Sequence, residues 1–247
     1  MPEYLEILAN NNYINSLKNK KFDKIFTQPI SKYVLKNEFI YQPEESFVLR
    51  SEHSGKQLAL TFNDQRLLFS MGMSGGFIFI PDKEIPINIK KHAVMVFEGE
   101  DHSLVLHDIR RFAKWAKSDK SDSWGKDRGP DPIREKKAFE KNIMDNLKKK
   151  TFDKPIYEIL MDQKYFSGVG NYLRAMILYR SGGDIFSSAR DYITQNHVQL
   201  FQVIHQILSE GIRYLKEGKS FPSSWYYPYF SSNFLIDRNN RRFWFHK

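Results

Sequence analysis

The sequence contains no cysteine. That excludes disulfides, zinc sites built on thiolates and thiol catalysis, and it suits a reducing, intracellular compartment. No apolar run approaches the roughly 18 residues of a membrane span, so no membrane partner is expected. The amino end lacks a basic n-region and carries Glu3 and Glu6 instead, so no signal peptide is expected. Acidic residues are the scarcer charge, 29 Asp+Glu against 38 Lys+Arg, for a net charge of +9. Such an excess favours an anionic partner, nucleic acid before an acidic membrane. What is present is 41% hydrophobic residues and 15% aromatics, enough for real cores. The 247 residues admit one large or two modest domains.

The most informative stretch runs from Asp162 to Arg174. Gly168 and Gly170 cannot sit comfortably inside a helix. Directly after them, Tyr172, Leu173, Met176, Ile177 and Tyr179 recur at helical spacing. The pattern predicts a tight turn feeding a helix N-terminus near Asn171. Free backbone N–H groups and the positive end of a dipole at such a terminus suit an anion, in a basic protein a phosphate. A plain turn between two packed helices is the simpler alternative.

The amino end, Met1 to Leu8, reads as a helix with Pro2 in its first turn, where a missing N–H costs nothing. Leu5, Leu8, Ile14 and Leu17 form its apolar stripe, and Glu3 and Glu6 share a face. Removal of Met1 would expose the secondary amine of Pro2. An α-amino group titrates near roughly 8, so part of it is neutral and nucleophilic at neutral pH.

From about Phe22 to Trp115 short β-rich runs alternate with turns. They include Gln57 to Phe62, Arg66 to Met71, Phe77 to Ile80, His92 to Phe97 and Ser103 to His107, which suggests an antiparallel sandwich or barrel-like unit. Three loops stand out: Ser54-Gly55-Lys56, Met71-Gly72-Met73-Ser74-Gly75-Gly76, and His107-Asp108-Ile109-Arg110-Arg111-Phe112. Polar Ala116 to Pro132, closed by Gly129-Pro130-Asp131-Pro132, reads as a linker. Helices are predicted over Glu135 to Lys150, Pro155 to Met161 and Ala189 to Lys216. In the tail, Lys216, Lys219, Arg238, Arg241, Arg242 and Lys247 are interleaved with aromatics, a nucleic-acid pattern. Its end reads as a hairpin with an Asn239-Asn240 turn.

The Asp162–Arg174 string resembles the helix–two-turn–helix signature of the formamidopyrimidine-DNA glycosylase / endonuclease VIII family, especially its Nei-like branch. Met-Pro-Glu at the start, the three loops, the linker and the end of the tail resemble the same family, in the same order. The resemblance implies an α+β fold. An N-terminal antiparallel β-sandwich with an N-terminal helix would span 1–115 and a linker 116–132. A helix–two-turn–helix domain would span 133–217 and a zincless β-hairpin finger 218–247. It implies a bifunctional DNA glycosylase and AP lyase, a monomer with no metal or cofactor. The partner would be double-stranded DNA containing oxidised bases or abasic sites.

By the same resemblance Pro2 is the nucleophile, Glu3 the general acid/base and Glu6 its assistant. Lys56 and Asn171 bind phosphate, Asn171 on the turn of Gly168 and Gly170. Met73, Arg110 and Phe112 fill the gap left by an everted nucleotide, and Arg241 is the finger arginine, with Arg242 the neighbouring alternative. The chain departs from the family at Met176, where Glu is usual, at Ala113, where Gly is usual, and at Tyr4-Leu5, often Gly-Pro or Leu-Pro. Met176 keeps open a binding protein of the same fold without turnover, and the basic character keeps open an RNA-binding protein.

Overall fold

The structure is a computed structural model, and it describes residues 2–28, 38–118, 124, 128–225, 234–236 and 242–244. Contacts gather the chain into two compact units. One holds Glu6–His53 and Gln57–Trp124; the other holds Glu3–Leu5, Ser54–Lys56 and Gly125–Lys247. The second unit is thus assembled from three separate pieces of sequence.

The first unit contains most of helix α1 (Tyr4–Ser16), then strands β1 (Lys24–Thr27), β2 (Ile40–Tyr41), β3 (Arg50–Ser54), β4 (Gln57–Phe62), β5 (Gln65–Ser70) and β6 (Gly76–Ile80). A short helix α2 (Ile87–Lys90) precedes β7 (Ala93–Glu98), β8 (Ser103–His107) and β9 (Lys114–Lys117). The strands form a five-stranded sheet in the order β2-β1-β7-β8-β6 and a four-stranded sheet in the order β3-β4-β5-β9. Ile25, Met95, Phe97, Leu104 and Leu106 from the first meet Leu58, Leu60, Leu67 and Phe69 from the second in one buried cluster, joined by Ile7 and Ile14 of α1. Two antiparallel sheets sharing one apolar interior make a sandwich. Strand β7 is buried on both faces because Val96 and Ala93 on its other side pack with Val105, Ile80 and Ile89 of α2.

Two expectations for α1 need correction. The helix starts at Tyr4, so Pro2 and Glu3 precede it. The core residue of its second turn is Ile7, fully buried, whereas Leu8 is only half-buried. Tyr4 donates its N–H to the carbonyl of Gly168, which ties the first turn elsewhere than a regular helix start would.

The second unit is helical. It runs through α3 (Lys136–Asn146), a 3-10 turn (Lys150–Asp153), α4 (Ile156–Ile159), α5 (Asn171–Ser181) and α6 (Ala189–Lys216), and ends in a hairpin of β10 (Phe234–Ile236) and β11 (Arg242–Trp244). Helix α3 stops at Asn146 rather than at Lys150; Lys149 is extended, so the lysine run leaves the helix. Helix α6 starts where Ser188 Oγ accepts the N–H of Asp191 and donates to its carboxylate, a reciprocal cap. The predicted Asn239-Asn240 turn lies outside the described residues.

Candidate functional site

The site is built from the helix start at Asn171 outward. Helix α5 presents backbone N–H groups at its N-terminus, as its glycine-rich entry predicts. The anion they bind is the chain's own. One Glu3 carboxylate oxygen accepts the N–H of Gly170 at 2.9 Å and of Leu173 at 3.1 Å, and the other accepts the N–H of Tyr172 at 3.0 Å. These donors are therefore engaged by Glu3, which corrects the expectation that they stand open for a phosphate. The physical reason is reach: Glu3 is 1% exposed and its side chain lies where a helix dipole favours negative charge. Pro2, the neighbouring residue, is half-buried.

Two glycines make this approach possible. A β-carbon on Gly170 would stand 2.2 Å from the Glu3 carboxyl carbon. Gly168 has φ of +88°, and a β-carbon there would stand 2.6 Å from the Tyr4 ring. Gln163 completes the turn, accepting the N–H of Gly168 and donating to the carbonyls of Met161 and Val169. Asn171 turns its side-chain carbonyl to the guanidinium of Arg174, which is fully buried and also donates to the carbonyl of Tyr157 at 3.0 Å. The amide N–H₂ of Asn171 is left as the donor end of its side chain. Met176, five residues on, is buried.

The Lys56 loop belongs to the same place. Gly55 has φ of +54°, and a β-carbon there would stand 2.2 Å from Ser167 Oγ and 3.0 Å from Gly168 N. Lys56, half-buried, follows directly. Sequence reasoning missed what holds these pieces: Asp131, read as linker punctuation. It is 1% exposed. Its Oδ1 accepts the Tyr4 hydroxyl at 3.0 Å and the N–H groups of Ile133 and Arg134 at 2.9 Å each. Its Oδ2 accepts the N–H of Gly55 at 3.3 Å, and its own N–H donates to Glu135. Burial first, then the Asp131 carboxylate, push the Tyr4 phenol far above its ordinary value, so it remains a donor at any working pH. The usable signal was Asp131 directly before Pro132 and ahead of a helical pattern, an acidic residue and a proline at a helix start.

A second group lies in the sandwich unit. Met73 is 44% exposed and Phe112 is 55% exposed. Arg110 donates a guanidinium N–H to the Met73 sulfur at 3.5 Å. Gly72, with φ of +60°, passes so close that a β-carbon would stand 2.7 Å from that of Phe112. The anchor beneath is Asp108, fully buried, which accepts the Ser74 hydroxyl at 2.5 Å and the N–H groups of Arg110 and Ala113 at 3.1 and 2.7 Å. The fold thus gathers Met73, Arg110 and Phe112 into one exposed patch above the Asp108 anchor. Glu6 is half-buried in the first turn of α1. Arg241 lies outside the described residues, and Arg242 opens β11 opposite Ile236. Among the described residues no cluster of His, Asp or Glu could hold a metal ion, and no helix is long and apolar enough to cross a membrane.

Two family models match the chain. The formamidopyrimidine-DNA glycosylase N-terminal domain covers residues 1–115, and the formamidopyrimidine-DNA glycosylase H2TH domain covers 128–223. Among curated relatives, endonuclease 8-like 1 of Homo sapiens is 42% identical over 131 residues, 51% of this chain and 32% of that protein. Its Mus musculus counterpart is 39% identical over 150 residues, 55% of this chain and 37% of that protein. Formamidopyrimidine-DNA glycosylase of Thermus thermophilus is 27% identical over 170 residues, 67% of this chain and 60% of that protein. The chain therefore spans less than two thirds of the length of these relatives.

Among solved structures, the MutM (Fpg) protein of Thermus thermophilus superposes with a TM-score of 0.68 at 23% identity, covering 91% of this chain and 80% of that one. The Lactococcus lactis Fpg bound to DNA containing an oxidised pyrimidine gives 0.69 at 22% identity, covering 89% and 82%. Both share the α+β fold. With its two domain models together spanning most of its length, the chain belongs to the formamidopyrimidine-DNA glycosylase / endonuclease VIII family.

Proposed function

We propose that the chain is a bifunctional DNA glycosylase and AP lyase that removes oxidised pyrimidines and ring-opened purines in base excision repair. The observation that carries this reading is the bonding of Glu3 to the N-terminus of α5, which fixes the residue next to Pro2 against the Gly168–Asn171 turn. Family membership supports it, as do the relatives bound to lesion-bearing or abasic DNA, Lactococcus lactis Fpg among them.

The damaged nucleotide leaves the stack, and Met73, Arg110 and Phe112 occupy the gap. Once Met1 is removed, the Pro2 nitrogen bonds to C1′ as the glycosidic bond breaks. The base leaves with a proton delivered through Glu3, with Glu6 assisting. The C1′–O4′ bond then opens, O4′ taking a proton, and C1′ becomes an iminium; loss of a C2′ proton breaks the C3′–O bond, and a second elimination breaks the C5′–O bond. Lys56, Asn171 and Arg241 hold the flanking phosphates, contacts that position rather than specify. No metal or cofactor enters these steps.

Borohydride reduction with an abasic duplex tests the proposal. A covalent complex is expected, and a Pro2→Gly variant that traps equally well would overturn the nucleophile assignment. A second reading, a lesion-binding protein without turnover, is favoured by Met176, an apolar residue buried on α5 where the family usually carries Glu. Retained Met1, read by mass spectrometry of the intact chain, would favour that alternative because the Pro2 nitrogen would then sit in a peptide bond.

A further inference from the structure

We infer that Asp131 is a positioning residue for the proposed reaction, setting the amino end through Tyr4 and the Lys56 loop through Gly55. The inference rests on the glycosylase and lyase reading. Three segments remote in sequence meet on one buried carboxylate. Tyr4 stands one residue from Glu3 and two from Pro2, and it bonds Oδ1; Gly55 stands one residue from Lys56 and bonds Oδ2. The nucleophile side and the phosphate side of the site therefore share an anchor that touches neither substrate end.

The two arms are separable by chemistry. Tyr4→Phe removes only the hydroxyl and keeps the ring that packs on Gly168. Asp131→Asn keeps one carbonyl oxygen and replaces the other with an amide N–H₂. Oδ1 holds three bonds of 2.9 to 3.0 Å and Oδ2 one of 3.3 Å. The asparagine carbonyl accordingly settles at the Oδ1 position, and the bond to Gly55 is the one lost. Tyr4→Phe thus removes only the bond from the amino end to Asp131, and Asp131→Asn removes only the bond from Gly55 to Asp131.

The experiment measures borohydride trapping on an abasic duplex under single turnover, together with the Kd for a duplex bearing a non-cleavable abasic analogue. For Tyr4→Phe the trapping rate at saturating DNA should fall roughly tenfold with Kd unchanged, the scale of one lost oriented hydrogen bond. For Asp131→Asn the Kd should rise severalfold while the saturated rate stays near wild type. A merely structural role would lower the trapped amplitude of both variants through loss of folded protein and leave rate and Kd alone; that result overturns the inference, as do wild-type rate and affinity in both. A wild-type protein that forms no trapped complex defeats the glycosylase and lyase reading itself, and this inference with it.

Discussion

Gly170 and Glu3 compete for one position: the Glu3 carboxyl carbon stands 2.2 Å from where a β-carbon on Gly170 would be. The φ of Gly170 is −125°, which any residue adopts, so the requirement for glycine is purely one of space.

Gly170→Ala should therefore expel the Glu3 side chain from the α5 N-terminus. Stability should fall by about 1–3 kcal/mol, as overpacking of a tight site does. Trapping on abasic DNA should fall far more than the melting temperature implies. Thermal unfolding and single-turnover trapping on the same preparation check this, and an alanine variant with wild-type trapping would refute the arrangement.

Glu3→Gln keeps shape and removes charge. Its amide end would face backbone N–H donors, leaving one bond replaced by a donor–donor clash. A cost of about 1–3 kcal/mol is expected from a buried donor left unsatisfied. Denaturant unfolding measures it.

The exposed patch and its base should respond differently. Met73→Ala, Arg110→Ala and Phe112→Ala should leave stability within about 0.5 kcal/mol, as exposed substitutions do, yet weaken capture of an abasic duplex. Asp108→Ala should instead lower the melting temperature, because three donors lose their buried acceptor. Equal destabilisation by all four would contradict the division.

His107 gives a pH dependence. Burial first, then neighbouring His92, hold its imidazole below the ordinary value, against the opposing pull of Asp108. The unfolded chain then binds more protons in that window, so stability rises with pH through it. The contribution is fully present above roughly 6.5 and is lost as pH falls through the depressed folded value. Melting temperatures at pH 5 and pH 7.5 should differ less in His107→Gln than in the wild type.

The register of the finger arginine can be separated by mutation. By the family resemblance, Arg241→Ala should weaken DNA binding and Arg242→Ala should not. The reverse result in an electrophoretic or fluorescence titration would move the role to Arg242.

Much of this was legible in residue order, for identifiable reasons. Strand β4 and helix α6 carry strong periodicity, and their observed bounds equal those expected. The turn at Gly168 announced itself because glycine there has a conformational reason. The loops with Met73 and Arg110 were joined through the family resemblance and not by residue order; their union depends on Asp108, whose bonds span 34 residues to Ser74. The tie from Asp131 to the amino end was hidden for the same reason, since its partner Tyr4 lies 127 residues away. The capture of the α5 N–H groups by Glu3 could not be read either, because a helix start advertises a need for an acceptor and not its source.

The helical unit borrows Glu3–Leu5 and Ser54–Lys56 from the far end of the chain. A fragment cut at residue 128 would therefore be born incomplete. It would lack the acceptor for three amides and the leucine that lies over Gly211, where a β-carbon would meet the Leu5 side chain at 2.3 Å. Recombination that trades the helical unit for a stranger's must also trade Glu3–Leu5 and Ser54–Lys56, or deliver a module with a missing keystone.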